Sequence, residues 1–475
     1  MNIARSTIKI FVSKAFTSVF GFLGLVIFAR ELGSYELGVF FLFQAILGML
    51  AVPADFGLNV GVVKKLSEGQ TDPSTVVTTA MSLKTIPLFI LSVTILILRD
   101  YINTYIGGEL ALLLIIALVI QEFSKFFIQV LKGELRVGSS ALPQLSRQVI
   151  FVLTSVCLLR YTNLDVIGLV IGLIVGIIFK LFWSFHKSTI SLGYPSRQCA
   201  ISLYSYSKYV LISKTGRYFF NWMDIVIIGV ILSQSEVGVY EVSWRVTSLI
   251  LVFTSAISTT IFPQLSEWHA EDALDRIETI IPESLAAVSF ITIPAFFGVL
   301  ALSSDILHII FGTEYVEGSL VLTILIGGKI FQSFQDILAR TLEGIDFPKQ
   351  AAISNLCSIS VNLILNIILI YKFGIIGAAF ATISSYIVNL LILYYCLTNK
   401  VKLGMPSHRI LVFVCSSLVM YFMLFQIKAK IEIQTPIILS SVIIFGAGIY
   451  FATTLLFPST RRMILDYLDQ LGISG

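Results

Sequence analysis

The sequence predicts an all-α membrane protein with about fourteen transmembrane helices. Three observations point there. Hydrophobic residues make up 56% of the 475 positions and charged residues 13%, with a mean hydropathy of +0.92; such a chain cannot clothe itself in polar surface. Apolar runs of about 20 residues, the length that crosses a hydrocarbon layer, follow one another from end to end. A pattern also returns after two hundred positions: Glu36-Leu37-Gly38-Val39-Phe40 reappears as Glu236-Val237-Gly238-Val239-Tyr240, and Ser13-Lys14 as Ser213-Lys214. Leu66-Ser67-Glu68 returns as Leu265-Ser266-Glu267, one residue out of register. Several matches in nearly one register mark two copies of one helical lobe.

The elements follow in order. The first lobe, residues 1–186, holds six spans: Ile8–Ala29, Leu37–Val63, Val76–Leu98, Leu110–Leu131, Ala141–Leu159 and Val166–Phe185. The N-terminal run is too long for a signal peptide and lacks a small-residue cleavage site, so it reads as the first span. Arg30 to Phe40, with Gly33 and Gly38, is a tight polar turn between the first two spans. A cytoplasmic connector occupies 187–202. The second lobe, 203–400, repeats the plan with Tyr206–Leu232, Val237–Leu265, Ile280–Leu302, Leu320–Leu342, Ala351–Ile370 and Gly374–Leu397. A last pair, Ile410–Phe425 and Thr435–Phe457, lies within 401–475 and has no counterpart in the first lobe.

Composition excludes several classes. The net charge of +4 is too small and too scattered for nucleic acid. The five cysteines, Cys157, Cys199, Cys357, Cys396 and Cys415, form no Cys-x-x-Cys, so neither a metal site nor a disulfide framework is expected. Gly327-Gly328-Lys329 is followed by Ile330, so no phosphate-binding loop of the ATPase type is present there. No outer loop is long enough for a folded enzyme domain, and no cofactor is expected.

A charge at mid-bilayer costs about 2.5–3.5 kcal/mol on insertion scales, so each one needs a reason. Glu122 and Lys125, Glu241 and Arg245, and Asp336 and Arg340 are spaced to pair along one helix face. Lys14, Arg147, Lys180, Lys208 and Lys214 stand near the cytoplasmic helix ends, within reach of the interface by snorkelling. Lys84, Arg217, Arg245 and Lys329 sit deeper. With Lys14 and Lys214 they outnumber the isolated carboxylates Asp55 and Asp224. A cationic, water-filled cavity lined by Lys14, Lys84, Lys214, Arg217, Arg245 and Lys329 suits an anionic substrate such as a phosphate or pyrophosphate. Pro53, Gly57, Pro87, Pro294 and Gly327-Gly328 interrupt spans, as suits a protein that changes shape.

These residues resemble a known family. Arg30-Glu31-Leu32-Gly33 with Tyr35, Gly38 and Phe40 is similar to the first hairpin of polysaccharide-biosynthesis flippases. So are Ile310-Phe311-Gly312-Thr313-Glu314-Tyr315, Leu342-Glu343-Gly344-Ile345-Asp346-Phe347-Pro348-Lys349 and Gly374-Ile375-Ile376-Gly377-Ala378-Ala379. The resemblance, to O-antigen-type oligosaccharide flippases of the multidrug/oligosaccharidyl-lipid/polysaccharide exporter superfamily, covers essentially the whole chain. It implies two pseudo-symmetric six-helix lobes in a V, the extra helix pair, and alternating access of a cationic cavity to lipid-linked sugar phosphates. Phosphate contacts carried over from the family fall on Lys14, Lys214, Arg217 and Arg245. The repeat position matching Arg245 is Ala45, so the lining is asymmetric. Asp224 and Asp336 resemble the carboxylates of a sodium site in related transporters. Asn362 would add a neutral oxygen, and Asp55 is a further candidate for binding sodium or a proton as coupling ion. The implied partners are the lipid-linked oligosaccharide, membrane lipids, and a polysaccharide polymerase with glycosyltransferases; the protein is expected to be a monomer. The rivals are a cation-coupled multidrug antiporter and a lipid II flippase within the superfamily, and a membrane polymerase or glycosyltransferase outside it. The antiporters' acidic residue in the first helix is absent, since Ile8–Ala29 contains no Asp or Glu.

Orientation follows from basic residues in the loops. With a cytoplasmic N-terminus, Arg5, Lys9, Lys64, Lys65, Lys132, Arg136, Lys187, Arg197, Arg276, Arg340, Lys349, Lys400, Lys402, Arg409, Arg461 and Arg462 face inward. Only Arg30, Arg99, Arg160, Lys372, Lys428 and Lys430 face outward. Both termini and the connector are therefore expected in the cytoplasm of a plasma-membrane protein. A cysteine introduced as Gly475→Cys in a cysteine-free background should resist a membrane-impermeant thiol reagent in intact cells; labelling from outside would reverse the topology.

Overall fold

The computed structural model describes residues 3–458 and 460–461; for 3–12 and 209–221 it describes the backbone alone. The side chains of Arg5, Lys9, Lys214 and Arg217 therefore fall outside the description, as do Arg462 and position 475 altogether. Two compact units divide between Gly238 and Val239. The first contains α1 (Ile3–Asp55), α2 (Leu58–Glu68), α3 (Pro73–Ile97), α4 (Arg99–Ile106), α5 (Ala111–Gly133), α6 (Ala141–Tyr161), α7 (Asp165–Lys187) and α8 (Arg197–Ile231). After α9 (Gln234–Ser248), which straddles the division, the second contains α10 (Leu251–Ala270), α11 (Leu274–Phe311), α12 (Ser319–Gly344), α13 (Pro348–Thr398), α14 (Ser407–Lys430) and α15 (Pro436–Leu455). Every regular element among the described residues is helical, as a lipid environment demands of a chain without a closed barrel.

Ten helices among the described residues are long and apolar enough to cross a membrane. The pair α9 and α10, bent by 45°, forms an eleventh candidate. Two of these helices are far longer than a bilayer is thick, at 53 residues for α1 and 51 for α13. Each is two helices joined at a glycine in left-handed backbone, Gly33 (φ 76°) and Gly374 (φ 60°). The two halves of α13 run antiparallel. Ser354 donates to the Asn389 carbonyl (3.1 Å), Ser358 to that of Ser385 (2.9 Å), and Asn362 Nδ2 meets Thr382 Oγ1 (3.5 Å). Small and amide side chains of this kind bring helices close in lipid and bond across the seam. A stripe of Gly168, Gly172 and Gly176 does the same for α7 against α6. A Cβ at Gly172 would lie 2.1 Å from Ser155 Oγ, and one at Gly176 2.6 Å from the Arg147 carbonyl oxygen.

Between the membrane helices, chemistry at the ends sets the starts. Asp72 precedes Pro73 and accepts the Thr75 N–H (3.0 Å), capping α3. The Ser74 hydroxyl, with the Thr75 N–H, holds the Asp72 carboxyl below its ordinary range. In the second unit α14 and α15 are fastened to α11 at three heights: Arg409–Glu283 (2.5 Å), Tyr450 OH to the Phe290 carbonyl (2.9 Å) and Lys428–Asp305 (2.5 Å).

The helix over 206–232, which the repeat assigns to the second lobe, packs within the first unit as α8 against α1, α2 and α3. Leu203 and Cys199 at its start join Leu58, Val62, Val76, Val77, Ala80, Phe126, Phe127 and Val130 in one core. The repeated hairpin sequence meets its own copy in this unit. A Cβ on Gly38 would lie 1.8 Å from the Gln234 carbonyl oxygen, and one on Gly238 2.1 Å from that of Ser34. The contact is reciprocal at an offset of two hundred residues. Backbone lies on both sides, so nothing can swing away. Gly38→Ala should therefore lower stability by about 1–3 kcal/mol or more, the range of overpacked cores, read as an earlier thermal unfolding midpoint in detergent. An unchanged midpoint would show that the close contact does not form.

Candidate functional site

The first unit builds a chain of charges from a helix break. Pro53 and Gly57 flank the end of α1, where Phe56 (φ 49°) and Gly57 (φ 76°) both turn left-handed. The break lets Asp55 accept the Asn59 N–H (3.1 Å) and cap α2. The same carboxylate receives Lys84 Nζ from α3 at 3.0 Å. Lys84 also meets Asn59 Oδ1 (3.4 Å) and Glu122 Oε2 on α5 (2.9 Å), and Glu122 Oε1 takes Lys125 (3.1 Å). Lys84 and Glu122 are fully buried. Asp55 is therefore not an isolated carboxylate. Lys84, enclosed by three oxygens, offers no face to a substrate anion; its role is to cancel two carboxylates in the hydrocarbon interior.

A cavity of about 260 Å³ opens beside this chain. Asp55, Asn59, Glu122, Lys125, Lys132 and Lys180 line it, with Gln129 and Gln144. Lys180 does not snorkel, as its place in the sequence suggests; it is 8% exposed and faces the cavity. Lys14 and Lys208 are exposed, and Arg147 is partly buried.

In the second unit Lys329 is fully buried among aromatic rings. Its Nζ sits 3.8 Å from the centre of the Trp244 ring on α9 and 5.8 Å from that of Tyr386 on α13, and it donates to Gln332 Oε1 at 3.0 Å. A desolvated cation over tryptophan gains about 2 kcal/mol, part of what its burial costs. Arg245 pairs with Glu241 (2.8 Å), as their spacing predicts, and keeps 36% exposure. Asp336 does not pair with Arg340. The arginine is taken by Glu343 at 2.8 Å, because the helix end at Gly344 puts that carboxylate in water beside it. Asp336 has no ion pair or hydrogen bond to the described residues and remains half-buried. Asn362 accepts from Asn366 Nδ2 (3.0 Å) and faces Thr382. Asn366 and Thr382 escaped the sequence reading, although Asn362 and Asn366 stand four apart on one helix face. Asp224 lies half-buried on α8 in the first unit. Glu122, Asn59 and Trp244 were likewise missed as partners of Lys84 and Lys329. Their contacts join different helices, where spacing says nothing.

Removing one partner of the first charge chain should be far worse than removing two. Lys84→Met strands Asp55 and Glu122 and should cost about 3–5 kcal/mol. Adding Glu122→Gln should recover much of it. Equal losses in the single and double variants, measured by thermal unfolding in detergent, would mean the ion pair does not form.

The sequence and the helical fold have parallels among known proteins. The profile of the polysaccharide biosynthesis protein family matches residues 27–320. Over 471 residues, 99% of each chain, the sequence is 41% identical to the probable low-salt glycan biosynthesis flippase Agl15 of Haloferax volcanii. It is 26% identical over 446 residues, 93% of each chain, to the probable flippase AglR of the same organism. In three dimensions it resembles the lipid II flippase MurJ in an inward closed conformation, with a TM-score of 0.80 at 19% identity over 95% of this chain and 99% of that one. A multidrug resistance MATE family transporter of the MOP superfamily aligns with a TM-score of 0.67 at 16% identity, over 80% and 95%. These two share the fold. Taken with the match across most of its first two thirds, the sequence identity shows that this multi-pass membrane protein belongs to the polysaccharide biosynthesis protein family.

Proposed function

We propose that the protein flips a lipid-linked oligosaccharide, on polyprenyl phosphate or pyrophosphate, from the cytoplasmic to the outer leaflet of the plasma membrane by alternating access, without catalysing a reaction. Its 41% identity over nearly all of a chain named as a glycan biosynthesis flippase supports the reading. The geometric observation that carries it is an apolar cavity of about 560 Å³ in the second unit. Phe253, Phe290, Gly298, Met420, Ile443 and Phe451 are among its lining residues, so α14 and α15, the pair without a counterpart in the repeat, help to form it. A sugar-phosphate headgroup loses every water-facing hydrogen bond in about 30 Å of hydrocarbon, whereas a polyprenyl tail loses none. The tail would lie in the apolar cavity; the cations that the family resemblance assigns to the phosphate are Lys14, Lys214, Arg217 and Arg245. The fourteen-span count and the monomeric state belong to this reading, as does a polysaccharide polymerase with glycosyltransferases acting upstream and downstream. Sodium or a proton would drive the cycle through Asp224, Asp336 and Asn362; Asp55 drops out of that set because Lys84 holds it.

Deleting the gene should trap lipid-linked oligosaccharide on the cytoplasmic leaflet and remove surface glycan, with drug sensitivity unchanged. Altered drug resistance with intact glycan would point to an antiporter. In liposomes, Gly298→Leu should cut flipping of lipid-linked sugar by about tenfold, a loss of about 1.4 kcal/mol. A Cβ there meets nothing nearer than the Met420 methyl at 3.9 Å, so the side chain fills the cavity without breaking the fold. Normal flipping by Gly298→Leu would remove the tail from that cavity. Flipping indifferent to sodium and proton gradients would remove the coupling ion.

A further inference from the structure

The cavity in the first unit carries more positive charge than its own carboxylates cancel. Asp55 and Glu122 are both committed, the first to Lys84 and the second to Lys84 and Lys125. Lys180 on α7 is 8% exposed and lines the cavity, and its ammonium has neither an ion pair nor a hydrogen bond to the described residues. It feels the charges of Arg147, Lys125 and Glu122. Among the described residues the Arg147 guanidinium holds the amide oxygen of its neighbour Gln148, at 3.4 Å. Lys125, Lys132 and Lys180 line the cavity, with Arg147 close enough for Lys180 to feel its charge, and Lys84 already answers both Asp55 and Glu122, so cations exceed carboxylates there. A buried ammonium without a counter-charge is strongly disfavoured, and an anion bound in the cavity would relieve it.

We propose that this cavity is a binding site for a phosphate group. Its excess of cations on several side chains suits an oxyanion, whose oxygens can meet several donors at once, rather than a halide. The donors lining it are of the kind that bind several oxygens at once, the Lys180 and Lys125 ammonium groups and the amide of Gln129, and Arg147 is close enough for Lys180 to feel its charge. A volume of about 260 Å³ holds one such group with water. Every contributing residue belongs to the first unit, and none is among the cations assigned to the transported headgroup. The site therefore stands whether or not the transport reading does. Two sources share this chemistry, free inorganic phosphate and the phosphate of a polyprenyl lipid, and the cavity's position beside the α1–α2 break gives it to whichever reaches it.

The test is thermal unfolding of the full-length protein in detergent, titrated with inorganic phosphate or with farnesyl phosphate, against sodium chloride at matched ionic strength. At least one phosphate probe should raise the wild-type midpoint saturably. Lys180→Met, which keeps the side-chain bulk and removes the charge, should weaken that probe's apparent affinity at least tenfold. A response to inorganic phosphate assigns a free anion; a response to farnesyl phosphate alone assigns the lipid's phosphate. If Lys180→Met does not fold, Arg147→Gln must give the same loss. The proposal is overturned if neither probe shifts the wild type, if chloride shifts it equally, or if the folded variant responds as the wild type does.

Discussion

Lys84, fully buried, brings two carboxylates from two other helices together. Much of the first unit depends on that one ammonium. Without it Asp55 would lose its ion pair and Glu122 would keep Lys125 alone, and the charge that ties α1 and α5 to α3 would be gone. The helix break at Phe56 and Gly57 exists in the same place for the same reason. An uninterrupted helix would bury the Asn59 N–H within its own ladder instead of offering it to Asp55. Charge and backbone are thus satisfied together, as low dielectric requires of both.

The two units handle buried cations differently. In the first, lysine is answered by carboxylate, and one lysine too many is left at a cavity. In the second, Lys329 is answered by the faces of Trp244 and Tyr386 and by an amide oxygen, while Arg245 takes Glu241 beside it in the helix. The repeat in sequence therefore does not carry a repeat in chemistry, which agrees with Ala45 standing where the second copy has Arg245.

The extra helices α14 and α15 illustrate how polar ends position apolar middles. Arg409–Glu283 and Lys428–Asp305 pin α14 near its two ends, and Tyr450 ties α15 to α11 between them. The wall between those anchors is free to be smooth and apolar, and there the larger cavity lies. Small residues, Gly298 and Gly446 among them, keep it open.

The sequence alone determined the class, most of the spans and the existence of a repeat, because these depend on hydrophobic length and local pattern. It placed the break after Pro53, the turn at Gly33 and the pairs Glu122–Lys125 and Glu241–Arg245, all set by spacing along one helix. Tertiary structure decided everything that joins different helices. It gave Asp55 to Lys84, gave Arg340 to Glu343 and left Asp336 without an ion pair among the described residues, buried Lys180 beside a cavity, laid Lys329 under Trp244, and drew α8 into the first unit. Spacing within one helix fixes which side chains share a face, but a buried charge is answered by whatever packing brings within a few ångströms, and that partner can lie anywhere in the chain.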